Sequence, residues 1–597
     1  MDMPSTRVFE LGIVMAGAIS AGAYSAGVMD FLIEALDAYE DAKKQDGWDG
    51  PVHDVRIPVM AGASAGGMTA AISALHVFHG LAHVWPGEPV PAPPDNRLYS
   101  SWVSDISIEA LLATTDLKDG LDKQGIKSAL CCDVLDRIVS NAFSLNSAPR
   151  ARNWIGRGED HSLRVMLTLT NMRGVPYSFS LFGPHSTDKY GMLNHGDYLD
   201  FTVGIAPHPS NESHTLDIQN TTGAGWDLFR TAALATGAFP GGLAPRIIER
   251  PAADYQHQER VGYDDLATQC FEGICPDNAF PATGNYRFVS VDGGTVDNEP
   301  LELARRYLSG GGHNDPNGEL ANRAVVLIAP FPNYRQPPPP DQDDRLVHIL
   351  PLLASALIEQ ARFKPDELDK AANDKIFSRF MISPVRPSGG NPKAEKYPIA
   401  CGALGGFSGF LHESFRRHDY LLGRRNAQAF LRWNFALPET NNLFTYFTAR
   451  PDRWYVRNAD GVTGSINEAT EQALPRKKFA RAVGGGEDTE GFPIIPLVGK
   501  LRHPIEIGPA DMPSPGNVSR DDLHARIKAR AKTVVNTLVD IDLRNDTDKL
   551  GPIIGWAVRK GAKTYGPQLV SQRAIDSFDA ALDDVAEAFG QQPIGAG

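Results

Sequence analysis

The stretch Pro58-Val-Met-Ala-Gly62-Ala-Ser64-Ala-Gly66-Gly-Met68 changes from a strand pattern to a helix pattern within a few residues. The apolar run 55–60 is typical of a short buried strand, and residues 65–78 are typical of a helix. Between them lies Gly-x-Ser-x-Gly, the form of a strand-to-helix turn that holds a serine hydroxyl exposed in a strained backbone conformation. The same sequence is also consistent with a tightly packed turn of small residues that has no catalytic role. The stretch therefore predicts an α/β domain, and Ser64 becomes a candidate nucleophile with Gly62 and Gly66 as the glycines of its elbow.

Strand and helix patterns alternate along the rest of the first half. The helix pattern is clearest over 22–36, where apolar residues recur on one face. Further short apolar runs predict strands at 7–15, 163–170, 286–291 and 324–329. This alternation predicts a three-layer α/β/α domain with a mainly parallel sheet covered by helices on both faces.

A proline-rich stretch divides the chain. Residues 330–344 read PFPNYRQPPPPDQDD, and four consecutive prolines cannot continue a helix or join a central strand. We predict an α/β domain over 1–335, a linker over 336–344 and a mainly helical C-terminal extension over 345–597. A chain of 597 residues is long enough for more than one domain.

Two further segments combine a strand end with small residues. The first strand runs into Ala16-Gly17-Ala18-Ile19-Ser20-Ala21-Gly22, and the amides of Gly17 and Ala18 are candidates for an oxyanion hole. Downstream, a predicted strand ends at Asp292-Gly293-Gly294. A carboxylate at the end of a buried strand lies where α/β sheets place their sites, so Asp292 is a candidate base. An ordinary Asp-Gly turn fits the same letters.

Composition and charge exclude several classes of function. The formal net charge is −14, which argues against general nucleic-acid binding. The chain has neither a dinucleotide-binding GxGxxG loop nor a P-loop lysine at these turns, so we predict no cofactor.

Five cysteines do not form a secreted disulfide framework, and Cys270 with Cys275 has no second pair to complete a metal site. The N-terminus lacks the basic region of a signal peptide, and no run of 18 apolar residues appears. We expect a cytoplasmic protein, with peripheral binding to a membrane left open.

These segments, in this order, resemble the patatin-like phospholipase family. The oxyanion loop AGAISAGAYSAGV, the turn GASAGG and the aspartate segment DGGTVDNEP match the motifs of the family. A fourth segment, Ala232 to Pro240, resembles the small-residue helix that precedes the aspartate strand in the family. The resemblance covers about residues 7–330, and the second half looks like the extension of large bacterial patatin-related proteins.

The resemblance implies a serine acyl hydrolase that cleaves fatty-acyl esters of lipids. Ser64 and Asp292 would form a dyad without histidine, and the reaction would pass through an acyl-enzyme. The chain departs from the family loop at two positions: Ile19 stands at a glycine and Ala21 at a basic residue. A preference for an uncharged or small ester, or a scaffold that has lost the chemistry, therefore stays open.

A Ser-His-Asp esterase is a further alternative, because His418 would complete the chain order of such a triad. His418 lies in a predicted helix with several arginines, which favours a solvated or salt-bridged helix face. The same basic cluster leaves a role in binding lipid headgroups open.

Overall fold

The computed structural model describes most of the chain. The described residues are 7–117, 125–144, 147–157, 161–180, 188–210, 213–257, 275–276, 283–310, 314–331, 375–387, 390–458, 474–479, 488–542 and 552–590, with a few positions between 356 and 373.

One large mixed sheet organises the protein. Within the described residues it has ten strands, and its main path runs β10-β9-β1-β2-β3-β4-β5, with β8 and β7 also paired to β3 and β6 paired to β8. The strands are β1 Val8–Met15, β2 Asp54–Gly62, β3 Leu163–Ser180, β4 Lys189–Gly204, β5 His214–Asp217, β6 Arg246–Pro251, β7 Cys275–Pro276, β8 Asn285–Asp292, β9 Arg323–Ile328 and β10 Arg379–Ile382. A small second sheet pairs β11 Ala436–Pro438, β12 Lys478–Phe479 and β13 Thr489–Pro493.

The centre of the large sheet is parallel. β1 pairs in parallel with β2 and β9, while β2–β3 and β9–β10 are parallel too. β8 runs antiparallel to β3, with Asp292 opposite Leu169. As a result, Ser64, which follows β2, and Asp292, which ends β8, lie near the same part of the sheet.

Eight helices of at least nine residues lie in the described part of the chain. They are α1 Gly22–Lys43, α2 Ser64–His76, α3 Asp133–Ala142, α4 Ala224–Thr236, α5 Leu301–Ser309, α6 Glu413–Trp433, α7 Arg520–Thr537 and α8 Pro552–Ala588.

The two faces of the sheet are both covered, as the alternation along β1 requires. Phe9, Leu11 and Ile13 belong to a core that includes residues of α1, α2 and α4, whereas Val14 packs in a second core with Leu301 and other residues of α5. Successive strand side chains point to opposite faces, so a strand this apolar is buried on both sides. The predicted three-layer α/β/α domain with a mainly parallel sheet is confirmed, together with the mainly helical C-terminal region.

The C-terminal half packs closely on the α/β domain. β10 extends the sheet beyond β9. Where α6 crosses α1, Gly27 of α1 faces the backbone of α6, and Gly423 of α6 faces the backbone of α1. A Cβ atom built on Gly27 would lie 1.9 Å from the carbonyl oxygen of Tyr420, and one on Gly423 would lie 2.2 Å from that of Tyr24. Only glycine permits this approach of two helices. The predicted linker 336–344 lies outside the described residues, and the boundaries drawn around it stay predictions.

One helical stretch, Ile19–Lys43, is long and apolar enough to cross a membrane by length and composition. Of its most apolar window, 94% is buried inside the protein. A central helix of a globular core has the same composition, and this stretch contains α1, which packs between the sheet and α6.

We expect Gly27→Ala to destabilise the protein by about 1–3 kcal/mol, because the added methyl group forces two helix backbones apart. The measurement is the midpoint of thermal unfolding, which should fall. Gly561→Ala is the matched control, since a Cβ at that helical glycine of α8 would meet nothing within 4 Å. It should leave the midpoint unchanged or raise it slightly. Equal effects of the two substitutions would contradict the proposed close contact.

Candidate active site

Ser64 lies at the junction of β2 and α2 in a strained conformation. Its φ is 53°, in the left-handed region that non-glycine residues rarely adopt. The turn is tight because Gly66 lies against the end of β1, where an added Cβ would come within 2.2 Å of the carbonyl oxygen of Met15. The strand-to-helix turn predicted around Gly62, Ser64 and Gly66 is present. It places the serine at the first residue of α2, where the amides of the first helical turn have no partner within the helix.

The amide of Ser64 is held from a different element. It donates to the hydroxyl oxygen of Thr236, at the end of α4, over 3.0 Å. Thr236 is fully buried, and its methyl group also lies against Gly67. This contact fixes the backbone of the turn from outside and offsets part of the cost of its positive φ.

Asp292 lies directly beside Ser64. The Ser64 hydroxyl donates to Asp292 Oδ2 over 2.6 Å, and the amide of Gly294 donates to the other carboxylate oxygen over 2.7 Å. The backbone of Asp292 is fixed as well, because its amide donates to the Ala238 carbonyl and its carbonyl accepts the Thr170 hydroxyl. One carboxylate oxygen is therefore oriented toward the serine while the rest of the group is anchored.

Burial changes the acidity of this carboxyl group. Removal from water raises the pKa of Asp292 from its ordinary 3.8 to about 7, while the hydrogen bonds from Ser64 and Gly294 partly oppose this rise. A carboxylate with a pKa near neutrality binds a proton more strongly than an exposed one and is still largely ionised in mildly alkaline solution. Asp292 can thus accept the proton of the Ser64 hydroxyl directly.

The loop after β1 approaches the same site. The amide of Gly17 donates to the backbone carbonyl of Asn298 over 3.2 Å, which ties this loop to the turn after Asp292. In the described part of the chain, the amides of Ala18 and Ile19 donate to no protein group. Ile19 has a φ of 49°, so the loop has a second strained residue. Two amides were predicted from the sequence as oxyanion donors. The amide of Gly17 already donates to the Asn298 carbonyl, whereas the amide of Ala18 has no acceptor among the described residues.

An apolar pocket of about 570 Å³, including its opening to solvent, lies against Ser64 and Ile19. Its surface is almost entirely apolar. Side chains from three regions form much of its wall: Met68, Ile72, Leu135, Ile138, Phe407 and Phe410. Met68 and Ile72 come from α2, Leu135 and Ile138 come from α3, and the two phenylalanines come from the C-terminal half. A pocket of this kind fits a hydrocarbon chain attached to a group that reacts at Ser64.

His418 does not contact this site. It is buried in α6, where its Nδ1 lies 2.8 Å from an Asp419 carboxylate oxygen and its ring packs edge-on against Phe589. The structure therefore brings Ser64 and Asp292 together and gives His418 other partners.

Of the two alternatives predicted for the helix face around His418, solvated or salt-bridged, the structure shows the salt-bridged one. Arg416 and Arg424 are buried, and Arg424 lies between Asp30 and Glu34 of α1. Periodicity within α6 could not reveal this, since the carboxylates come from a helix about 390 residues earlier. Burial also removes these two arginines from any contact with lipid headgroups.

Three parts of the site were not singled out by sequence reasoning. Thr236 and Asn298 lie within segments that match family motifs, but the sequence of these segments does not assign either residue a role. Phe407 and Phe410 lie in the C-terminal half, and no local pattern connects them to Ser64.

Among the described residues, no group of three or more histidine, cysteine, aspartate or glutamate side chains could hold a metal ion. Cys270 lies outside the described residues.

Comparison with known proteins gives two findings. The family profile described as "Patatin-like phospholipase" matches residues 13–305. A curated relative, "Uncharacterized protein y4iI" of Sinorhizobium fredii (strain NBRC 101917 / NGR234), is 35% identical over 591 residues, covering 92% of this chain and 78% of the relative. The profile match contains both Ser64 and Asp292, and the similarity to the relative extends into the C-terminal half.

We expect Asp292→Asn to stabilise the protein relative to the wild type more at pH 8 than at pH 5. The folded-state pKa of about 7 lies above the ordinary 3.8, so the folded protein binds this proton more tightly than the unfolded chain. Wild-type stability therefore falls by up to about 4 kcal/mol as the pH rises from about 4 to about 7, with about 3 kcal/mol of this loss above pH 5, and the neutral asparagine has no such dependence. The measurement is the thermal unfolding midpoint of both proteins at pH values between 5 and 8. A difference independent of pH would contradict the raised pKa.

Proposed function

The chain belongs to the patatin-like phospholipase family, a family of lipid acyl hydrolases, and we propose that it cleaves fatty-acyl esters through Ser64 and Asp292. The observation that carries the proposal is the 2.6 Å hydrogen bond from the Ser64 hydroxyl to a buried carboxylate oxygen of Asp292. Nucleophile and base are in direct contact, so the proton transfer needs no intervening histidine.

Acylation begins with attack of Ser64 Oγ on the ester carbonyl carbon. As the new C–O bond forms, the hydroxyl proton moves to Asp292 Oδ2 and the carbonyl oxygen takes the negative charge. Collapse of this tetrahedral intermediate breaks the bond to the leaving alcohol, which takes the proton back from Asp292. The product of this half-reaction is a fatty-acyl ester of Ser64.

Deacylation uses the same groups in the same order. Asp292 takes a proton from a water molecule as the water oxygen attacks the acyl-enzyme carbonyl. The second tetrahedral intermediate releases the fatty acid, and the proton on Asp292 returns to Ser64 Oγ. The anchoring of Asp292 by Gly294 favours both half-reactions, because the base does not have to be reoriented between them.

The negative oxygen of each intermediate needs donors close to Ser64. The amides of Ala18 and Ile19, without partners among the described residues, support this role, and the N-terminus of α2 adds a favourable dipole. In this proposal Gly17 has a different part, since its bond to Asn298 fixes the loop that carries these amides. Ile19 replaces a family glycine, but the donor is its backbone amide and not its side chain.

We expect Ser64→Ala and Asp292→Asn each to lower kcat/KM for a fatty-acyl ester by about a thousandfold or more, because each removes one member of a unit that acts together. The measurement is release of fatty acid from a panel of phospholipids, lysolipids and neutral acyl esters. The double variant should be little worse than either single variant.

Two controls accompany this comparison. Ser73→Ala changes another serine of α2, which is fully buried and whose hydroxyl has no hydrogen-bond partner among the described residues, so activity should stay near that of the wild type. His418→Asn tests the alternative triad and should change the rate by no more than a few fold. If Ser64→Ala hydrolyses every ester as fast as the wild type, the chain is a scaffold and the proposal fails. Loss of activity in His418→Asn alone would indicate a Ser-His-Asp esterase.

We expect kcat/KM to fall about tenfold per pH unit below about pH 7 and to be level above it. Asp292 must be ionised to accept the proton, and its pKa in the folded protein is about 7. The check is the rate of fatty-acid release from an uncharged ester between pH 5 and pH 9. A level profile down to pH 5 would exclude Asp292 as the base with this pKa.

A further inference from the structure

The wall of the pocket at Ser64 is completed by a segment about 340 residues away. We define the capping segment as residues 399–411, which precede α6. Its Phe407 and Phe410 line the pocket together with Ser64 and Ile19. The Phe407 ring packs edge-on against Phe239 of the same pocket, with ring centroids 5.8 Å apart, and its centroid lies 5.9 Å from that of Phe410. The apolar surface available to a substrate chain therefore depends on both halves of the protein.

The capping segment is tied to the loop that follows β1. The Ser20 hydroxyl donates to the carbonyl of Gly406 and accepts the amide of Gly409, the second bond being 3.1 Å long. Leu404 and the two glycines after it all have positive φ, between 52° and 103°, so the backbone here follows a tightly specified path. Since Ser20 is fully buried, these bonds are shielded from water. Phe407 and Phe410 are thus held at the pocket by a fixed backbone.

The length of the pocket can be read from α2. Its lining residues on this helix extend from Ser64 through Met68 to Ile72. Eight residues of α-helix at 1.5 Å each span ~12 Å. At ~1.5 Å per carbon–carbon bond and a bond angle of ~111°, each bond of an extended hydrocarbon chain advances ~1.25 Å, so this length corresponds to about nine bonds, which join about ten carbons.

We propose that the capping segment sets the length of the acyl chain accepted at Ser64, with Phe407 and Phe410 as its specificity-determining side chains. The substrates it selects are esters of acids of about eight to ten carbons, judged from the ~12 Å of pocket along α2. This inference rests on the proposed acyl hydrolase function, because it assigns the acyl part of the substrate to the pocket. It gives the C-terminal half a direct part in the choice of substrate.

The test compares acyl esters of one neutral alcohol with chains of four to sixteen carbons. For the wild type, kcat/KM should rise by about three- to fourfold per methylene up to eight or ten carbons and then stop rising, because each buried methylene adds a similar amount of binding. Phe410→Ala opens the wall and should raise the ratio of sixteen-carbon to eight-carbon rates by tenfold or more. Ile72→Phe fills the far end along α2, so kcat/KM should stop rising at a shorter chain than in the wild type.

Phe447→Ala is the matched control. Phe447 is about as buried as Phe410, also lies in the C-terminal half, and packs on Phe492 and not on the pocket. Its loss removes a similar amount of packing and should leave the chain-length ratio unchanged. Because each ratio is measured on one preparation, differences in the amount of folded protein cancel. A Phe410→Ala ratio within twofold of the wild type would overturn the proposal.

Binding of free fatty acids tests the chain-length preference of the pocket independently of whether the protein hydrolyses esters. Isothermal titration of the wild type with saturated acids of four to sixteen carbons measures the pocket without turnover. If no ester is hydrolysed in a Ser64-dependent way, the proposed function fails. Tightest binding at eight to ten carbons, moved to longer acids by Phe410→Ala but not by Phe447→Ala, would still support the pocket assignment. No binding, or a preference that Phe410→Ala leaves unchanged, would overturn it.

Discussion

The left-handed backbone at Ser64 is the constraint around which the site is built. A residue with a side chain adopts such a φ at a cost of about 1–3 kcal/mol, so neighbouring contacts have to hold it there. Gly66 lets the turn press against the end of β1, and Thr236 receives the Ser64 amide from α4. The strain has a use, because it brings the serine hydroxyl out of the helix and onto Asp292. Strand order then matters as much as the turn: β8 reaches this position only because it pairs with β3, the neighbour of β2.

In the proposed mechanism, the burial of Asp292 lets two residues do what other hydrolases do with three. An exposed carboxylate is a weak base at neutral pH, and a histidine normally supplies the missing basicity. Here removal from water raises the pKa of the carboxyl group to about 7, close to that of an imidazole. The folded protein carries the cost of a buried charge in mildly alkaline solution. The same burial thus links the reactivity of the site to the stability of the fold.

The sequence was sufficient for the parts of this design that are local. Ser64 could be proposed because strand, glycines and helix follow one another within a dozen residues. Asp292 could be proposed because its strand end is followed by two glycines and its segment comes in the family's order after the serine turn. The roles of Thr236, Asn298 and Phe410 could not be found in this way. Each acts on the site across 172 residues or more of chain, or through its backbone carbonyl, so no spacing in the sequence carries the information. For the same reason the sequence could not decide between a solvated and a salt-bridged face for the arginines of α6, because the partners of Arg424 lie on α1.

The C-terminal half is joined to the site through α1. This helix directly follows the loop after β1, and α6 lies against it through two close approaches, of Gly27 to the Tyr420 carbonyl and of Gly423 to the Tyr24 carbonyl. The ion pairs of Arg424 with Asp30 and Glu34 also join the two helices. Burial alone would raise the pKa of Asp30, but the charge of Arg424 and the hydrogen bond to His83 lower it to about 2, so the pair with Arg424 stays ionised throughout the pH range in which Asp292 titrates. Breaking one partner of a buried pair typically costs 3–5 kcal/mol. Any displacement of α6 would therefore move α1, the loop at its N-terminus and the capping segment together. The position of the pocket wall at Ser64 is in this way coupled to the position of the amides that are proposed to stabilise the oxyanion.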